Sequence, residues 1–155
     1  MVLTRNRVPG LIRKVEEILA KGGDEPLLEI CRLLKEDVEH YDWVGFYLVD
    51  PHTSRELVLG PFAGEPTEHT RIAFGEGICG QAADTGKLFL IQDVMKETNY
   101  LSCSPNVRSE MVVPIFIGQK IVGELDIDSH KLHPFTKADS DLLEHVCRLV
   151  GPLLA

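Results

Sequence analysis

Two apolar runs joined by Ile117-Gly118-Gln119-Lys120 fill the stretch from Ser109 to Ser129, SEMVVPIFIGQKIVGELDIDS. No other part of the chain restricts the fold as strongly. Apolar and β-branched residues on both sides of a glycine-containing turn predict a β-hairpin. A period of two puts Glu124, Asp126 and Asp128 on one face of the second strand, and Ile121, Gly123, Leu125 and Ile127 on the other. The apolar set requires a core, so the acids face the opposite side. Whether Glu110 joins them depends on register. A two-residue turn at Gly118-Gln119 pairs Ile117 with Lys120 and sends Glu110 to the wrong face. A three-residue turn, or a bulge, sets Glu110 opposite Asp128. If the acids form one site, the second arrangement or a bulge is expected.

Clustered carboxyls raise one another's pKa, so one can keep a proton near neutral pH and act as a general acid. Others can hold a ligand's ammonium group. Calcium or magnesium is open on ligand type, but DIDS lacks the spacing of a calcium loop. A solvated strand end is the plain alternative. The hairpin is read as the floor of a small-molecule pocket, with Cys103 above it.

The rest of the chain supplies helices and more strands. Pro9 to Lys21 reads as a helix ended by Gly22-Gly23. Asp24 suits the N-cap of a second helix reaching about His40, with Leu27, Ile30, Cys31, Leu34 and Val38 as its apolar stripe. Tyr41 to Val49 reads as a strand. Its alternation separates Val44, Phe46 and Leu48, which face the core, from Trp43, Gly45 and Tyr47. The second set is either an aromatic pocket wall with a hollow at Gly45 or a pair of ordinary core aromatics. Leu57 to Leu59 is a short strand paired antiparallel with it, and Gly60 to Glu68 a loop. His69 to Phe74 is a third strand, Ile78 to Thr85 a short helix ending at Gly86, and Leu88 to Ile91 a buried strand. Asp93 to Arg108 is a long loop of the kind that often covers a site. A last helix follows Thr136 or Asp139. The order predicts an α+β fold: a central, mainly antiparallel sheet with the N- and C-terminal helices packed on one face and ligand loops on the other.

The length of 155 residues fits a single domain over 1–155. A net charge of -8 opposes both nucleic acid and anionic lipid. The N-terminal MVLTRNRVPGLIRKVEEILA reads as neither a secretory signal nor a membrane span, which makes the cytoplasm the expected location. Cys31, Cys79, Cys103 and Cys147 lack metal-site and thioredoxin-type spacing. In a reducing compartment each is a small apolar residue or a reactive thiol. Cys31 falls in a helical stripe, and Cys147 beside one, with the two expected near each other. Cys79, in Gly77-Ile78-Cys79-Gly80, opens a helix whose dipole favours a thiolate; a packed small residue is the other reading. Cys103 lies in a polar loop that brings it to the acidic end of the hairpin, unless it is incidental there.

Five segments together are similar to the GAF domain, and more narrowly to the free methionine-(R)-sulfoxide reductases. They are Trp43-Val44-Gly45-Phe46-Tyr47, Leu57-Val58-Leu59-Gly60-Pro61-Phe62, Gly77-Ile78-Cys79-Gly80, Ser109-Glu110 and Asp126-Ile127-Asp128-Ser129. The resemblance implies a GAF-like fold and thiol-dependent reduction of free methionine-(R)-sulfoxide to methionine. It implies Cys103 as the catalytic thiol, which becomes a sulfenic acid, and Cys79 as the cysteine that closes a disulfide with it. It places Glu110, Asp126 and Asp128 on the ligand-binding acids, and Trp43 and Tyr47 on the aromatic wall. No metal or cofactor is implied. A thioredoxin-like dithiol would reopen the bridge, and homodimers are common among such domains. The chain departs from the family where a third cysteine is usual, reading Glu65-Pro66-Thr67-Glu68-His69. Around Cys103 it reads Tyr100-Leu101-Ser102-Cys103-Ser104, without the usual imidazole and carboxylate. That loop is closer to those of sensory domains. A non-enzymatic module binding a small molecule is therefore the alternative function.

Overall fold

The computed structural model describes residues 2–53, 55–101 and 104–155. Cys103, expected to be the catalytic thiol, lies outside the described residues.

Helices α1 (Val8–Lys21) and α2 (Pro26–Asp37) precede strands β1 (Trp43–Val49), β2 (Glu56–Ala63) and β3 (Arg71–Ala73). Helix α3 (Gly77–Thr85) leads to β4 (Phe89–Ile91), then to β5 (Ser109–Ile117) and β6 (Lys120–Ser129). Helix α4 (Lys137–Val150) follows. The strands form one antiparallel six-stranded sheet in the order β3-β2-β1-β6-β5-β4. Val44, Phe46, Met111, Val113, Leu125 and Ile127 pack against α1, α2 and α4 on one face. Trp43, Tyr47 and Val112 pack against Ile78, Cys79, Ala82 and Ala83 of α3 on the other. No helix among the described residues is long and apolar enough to cross a membrane.

The hairpin combines two of the expected geometries. Its turn has two residues, with Ile117 opposite Lys120 and Gly118 at φ 61°. A positive φ at the first turn position suits glycine and the strand twist of a hairpin. A bulge then restores the register: Phe116 pairs with Ile121 but Ile115 with Gly123, leaving Val122 as the extra residue. From there Glu110 faces Asp128. Burial decides this register. Leu125 and Ile127 are fully buried, each stabilising by roughly 2 kcal/mol, and a one-residue slip would exchange them for carboxyls. The bulge also moves Ile121. It was expected on the face of Leu125 but packs with the cluster around Tyr47, while Val122 packs on the helical side.

Other expectations change in detail. Helix α2 has Glu25, not Asp24, at its N-cap, and Val38 is already extended, so the helix stops well before His40. Strand β2 runs on to Ala63, through a bulge at Gly60 and Pro61. Proline is tolerated there because β3 pairs only with Glu56–Val58. Strand β4 is an edge strand with Leu90 exposed, not a buried one. The Cys31 thiol donates to the Pro61 carbonyl of β2 and the Cys147 thiol to the Val113 carbonyl of β5. Those strands lie three spacings apart, about 14 Å, so the two cysteines are not neighbours. Helix α4 begins with a capping box between Thr136 and Asp139. Asp139 also accepts the Tyr41 hydroxyl proton at 2.7 Å and contacts His40 Nε2 at 2.8 Å, tying α4 to the approach to β1.

Candidate active site

The three central strands present a grid of side chains toward α3. Across β1, β6 and β5 the rows are Trp43, Asp128, Glu110; then Gly45, Asp126, Val112; then Tyr47, Glu124, Pro114. Neighbours within a row stand about 5 Å apart and successive rows about 7 Å. The structure therefore brings together every expected site residue outside the undescribed pair 102–103. It adds Glu124, which alternation had placed on this face without a role. All four carboxyl groups are buried.

The aromatic wall differs from expectation in one respect. No hollow is left at Gly45, because the Trp43 ring lies across it. A Cβ there would fall 2.3 Å from the ring. Trp43 stacks on Phe62 with centroids 5.5 Å apart, and its indole N–H donates to the Glu65 carbonyl at 2.9 Å. The Tyr47 hydroxyl donates to the His69 carbonyl at 2.8 Å.

Cys79 stands over this floor in the first turn of α3, only 5% exposed. Its thiol donates to Glu110 Oε2 at 3.8 Å. Burial pushes the thiol's pKa well above its usual value, and the charges of Asp126, Glu124 and Glu110 push it further. Of the two readings of Cys79, the helix-stabilised thiolate is the one this opposes: desolvation and three acids outweigh the dipole of one short helix. Burial likewise raises Glu124 well above the carboxylate range. Cys79 partly offsets this and Asp126 adds to it. Asp126 is raised by burial against the opposing contacts of Glu110 and Cys79. As carboxylates, Glu124 and Asp126 meet no aligned donor at any of their oxygens. Asp126 and Glu110 can bond to each other only when one is protonated. The floor is therefore a place where protons are held and shared. A Cys79 thiol and oxygens of Glu110 and Asp126 lie within 4.8 Å of one another, the one such grouping among the described residues. With the thiol held protonated, the trio suits proton sharing better than metal ligation.

Sequence reading missed what fixes the cover. Asn99 accepts the Gly77 N–H at 2.9 Å and donates to the Gly75 carbonyl at 2.8 Å. Gln81 donates to the carbonyls of Gly77 and Asn99. The loop is thus clamped to the start of α3, and Leu101 lines a cavity of about 10 Å³ beside Tyr47, Cys79, Glu110 and Asp126. That is room for about one water molecule. A larger cavity, about 500 Å³, adjoins the Trp43 and Asp128 end and includes Ser104 and His130. An asparagine in a polar loop was the only available signal of the clamp. Asn99→Ala should speed amide exchange at Gly77 about tenfold, the effect of losing one hydrogen bond. Exchange at the wild-type rate would show that the clamp does not hold the loop.

A family model described as the GAF domain matches residues 24–155. GAF domain-containing protein A of Dictyostelium discoideum is 38% identical over 142 residues, 90% of this chain and 87% of that protein. The free methionine-R-sulfoxide reductase of Escherichia coli is 36% identical over 129 residues, 83% of this chain and 76% of that one. Among solved structures, the free methionine-R-sulfoxide reductase from Neisseria meningitidis in complex with its substrate superposes with a TM-score of 0.84. It is 34% identical, over 99% of this chain and 93% of that chain.

Proposed function

This chain belongs to the GAF-domain family, and we propose that within it the protein is an oxidoreductase that reduces free methionine-(R)-sulfoxide to methionine. The observation that carries this reading is the Cys79 thiol held among Glu110, Asp126 and Glu124 on a floor bounded by Trp43 and Tyr47. The relatives and solved structures named as reductases support it.

The residues divide the work as follows. Glu110 and Asp128 hold the ammonium group of the free amino acid. Trp43 and Tyr47 wall the methyl-sulfoxide end. The Cys103 thiolate attacks the sulfoxide sulfur while Asp126 gives its proton to the oxygen. The sulfur–oxygen bond of the substrate breaks, methionine leaves, and Cys103 is oxidised to a sulfenic acid. The Cys79 sulfur then displaces that oxygen. Its proton passes to the acids, one of theirs joins the departing hydroxide to make water, and a disulfide remains. An external dithiol of the thioredoxin type reduces the bridge. Substrate reaches the floor from the larger cavity, and Leu101 must move aside, since the inner cavity is too small for an amino acid.

The test supplies free methionine-(R)-sulfoxide and a dithiol and measures methionine. Cys103→Ser should reduce turnover to background, while Cys79→Ser, assayed without the dithiol, should still release one methionine per chain without disulfide closure. A fully active Cys103→Ser protein would sink the mechanism. Ligand-induced thermal stabilisation that persists without either cysteine, and with no methionine formed, would favour a binding module instead.

A further inference from the structure

Glu124 is the one carboxyl of the floor that this reaction leaves without a task. It is fully buried in the bottom row, opposite Tyr47 on β1 and Pro114 on β5. Neither neighbour gives it a proton: the Tyr47 hydroxyl donates to His69, and Pro114 has no side-chain donor. Both Glu124 oxygens lack an aligned donor. On its open side it interacts with the Cys79 thiol of α3, and it stands one row from Asp126 on the same strand face. A buried carboxyl set between a thiol and a second acid suits proton transfer between them.

We propose that Glu124 is a proton-transfer residue of this site, passing a proton to Asp126 after the sulfoxide is reduced and taking one from Cys79 as the disulfide closes. The assignment rests on the reductase reading. The steps balance. Asp126 loses its proton to the sulfoxide oxygen and regains one from Glu124, which becomes a carboxylate. The Cys79 S–H bond then breaks and its proton moves to Glu124. The Cys79 thiolate forms a bond to the Cys103 sulfur and is oxidised as that sulfenic sulfur is reduced. The S–O bond breaks, and the departing hydroxide takes a proton from Asp126 to leave as water. Glu124 ends protonated, as it began. Its high affinity for a proton fits that cycle, being set by burial and by the Asp126 charge. The groups that act on it are Cys79 on α3 and Asp126 on β6; Tyr47 is its cross-strand neighbour on β1, and the Cys79 thiol also donates to Glu110 on β5. Across the sheet, Cys147 of α4 also feels its charge.

The test is a single turnover of reduced Glu124→Gln with free methionine-(R)-sulfoxide and no reductant. Glutamine mimics the protonated acid but cannot exchange its proton. Methionine should form within a few-fold of the wild-type rate, while disulfide closure slows roughly 10²-fold, the low end of general-acid–base effects. A sulfenic acid should then accumulate, trapped by dimedone, and closure should speed up with rising pH. Closure at the wild-type rate and pH profile would overturn the proposal. Loss of the first step alone would overturn it too. If wild-type protein makes no methionine, the reductase reading fails. Alkylation of Cys79, followed by peptide mass, then decides the coupling separately. Its pH midpoint should fall in Glu124→Gln, and an unmoved midpoint counts against the pairing. If Glu124→Gln does not fold, Glu124→Asp, which draws the acid back by one methylene, should show the same slowed closure.

Discussion

Asp126→Asn should fold and yet turn over free methionine-(R)-sulfoxide roughly 10³-fold more slowly than wild type, the usual scale for losing a general acid. Asp126 occupies the centre of the grid, between Gly45 and Val112, and borders the small inner cavity. It interacts with both Glu110 and Cys79, the groups that must exchange protons during the reaction. Asparagine has the same shape but no proton to give. It also brings an N–H donor to a floor where buried acceptors lack one, so the variant should be at least as stable as wild type near neutral pH. Loss of activity with an unchanged or higher melting temperature would separate chemistry from collapse. Turnover within fivefold of wild type, measured as kcat/KM with a dithiol in excess, would remove Asp126 from the proton-donating step.

Much of this site was legible because strand alternation is a hard geometric rule. Trp43 and Tyr47, and Asp126 and Asp128, had to share faces once their strands were recognised, and the apolar partners at Val44, Phe46, Leu125 and Ile127 decided which face met the helices. The register was half legible. Sequence offered a longer turn or a bulge as ways to bring Glu110 beside Asp128, but it could not show that the extra residue is Val122. Bulge position follows from packing on both faces at once, and that choice also moved Ile121 across the sheet. Side-chain reach was less legible still. Gly45 was read as a hollow because a missing Cβ is visible in sequence, whereas a tryptophan folding back over it is not. Cys79 has two readings in the sequence, a thiolate favoured by a helix start and a packed small residue. Its protonated state depends on acids more than thirty residues away in the chain, and no local pattern reports them. The same holds for Glu124, whose isolation from donors is a property of Tyr47, Pro114 and α3 together.

Wild-type protein should lose stability as pH rises from about 5 to 8, opposite to the acid sensitivity of proteins held by ionised carboxylates. Glu124 and Asp126 both bind protons more tightly when folded than the ordinary carboxylate range allows, chiefly because burial disfavours their charged forms. In the unfolded chain such groups lose their protons near pH 4. Between that pH and their raised folded values, the folded state holds more protons than the unfolded one. Stability then falls with pH, by roughly 1.4 kcal/mol per pH unit for each group still protonated in the fold. Cys79 extends the trend at the alkaline end, since its thiol stays protonated in the fold while an unfolded cysteine ionises near pH 8.5. Asp50 and Asp141 work in the other direction, their pKa values being lowered by hydrogen bonds from His52 and Lys137 respectively. Their contribution is lost as pH falls, but each belongs to a surface ion pair with an exposed basic partner, Arg71 or Lys137, and is screened. The buried acids therefore set the sign. Denaturant midpoints measured from pH 5 to 8 should fall in wild type, fall less in Glu124→Gln, and run nearly flat in the Glu124→Gln, Asp126→Asn double variant. The two sites adjoin, so their effects should not add. A wild-type midpoint that is level or rises over this range would mean that the floor is ionised in the folded protein, and the proton-holding account of its chemistry would fail with it.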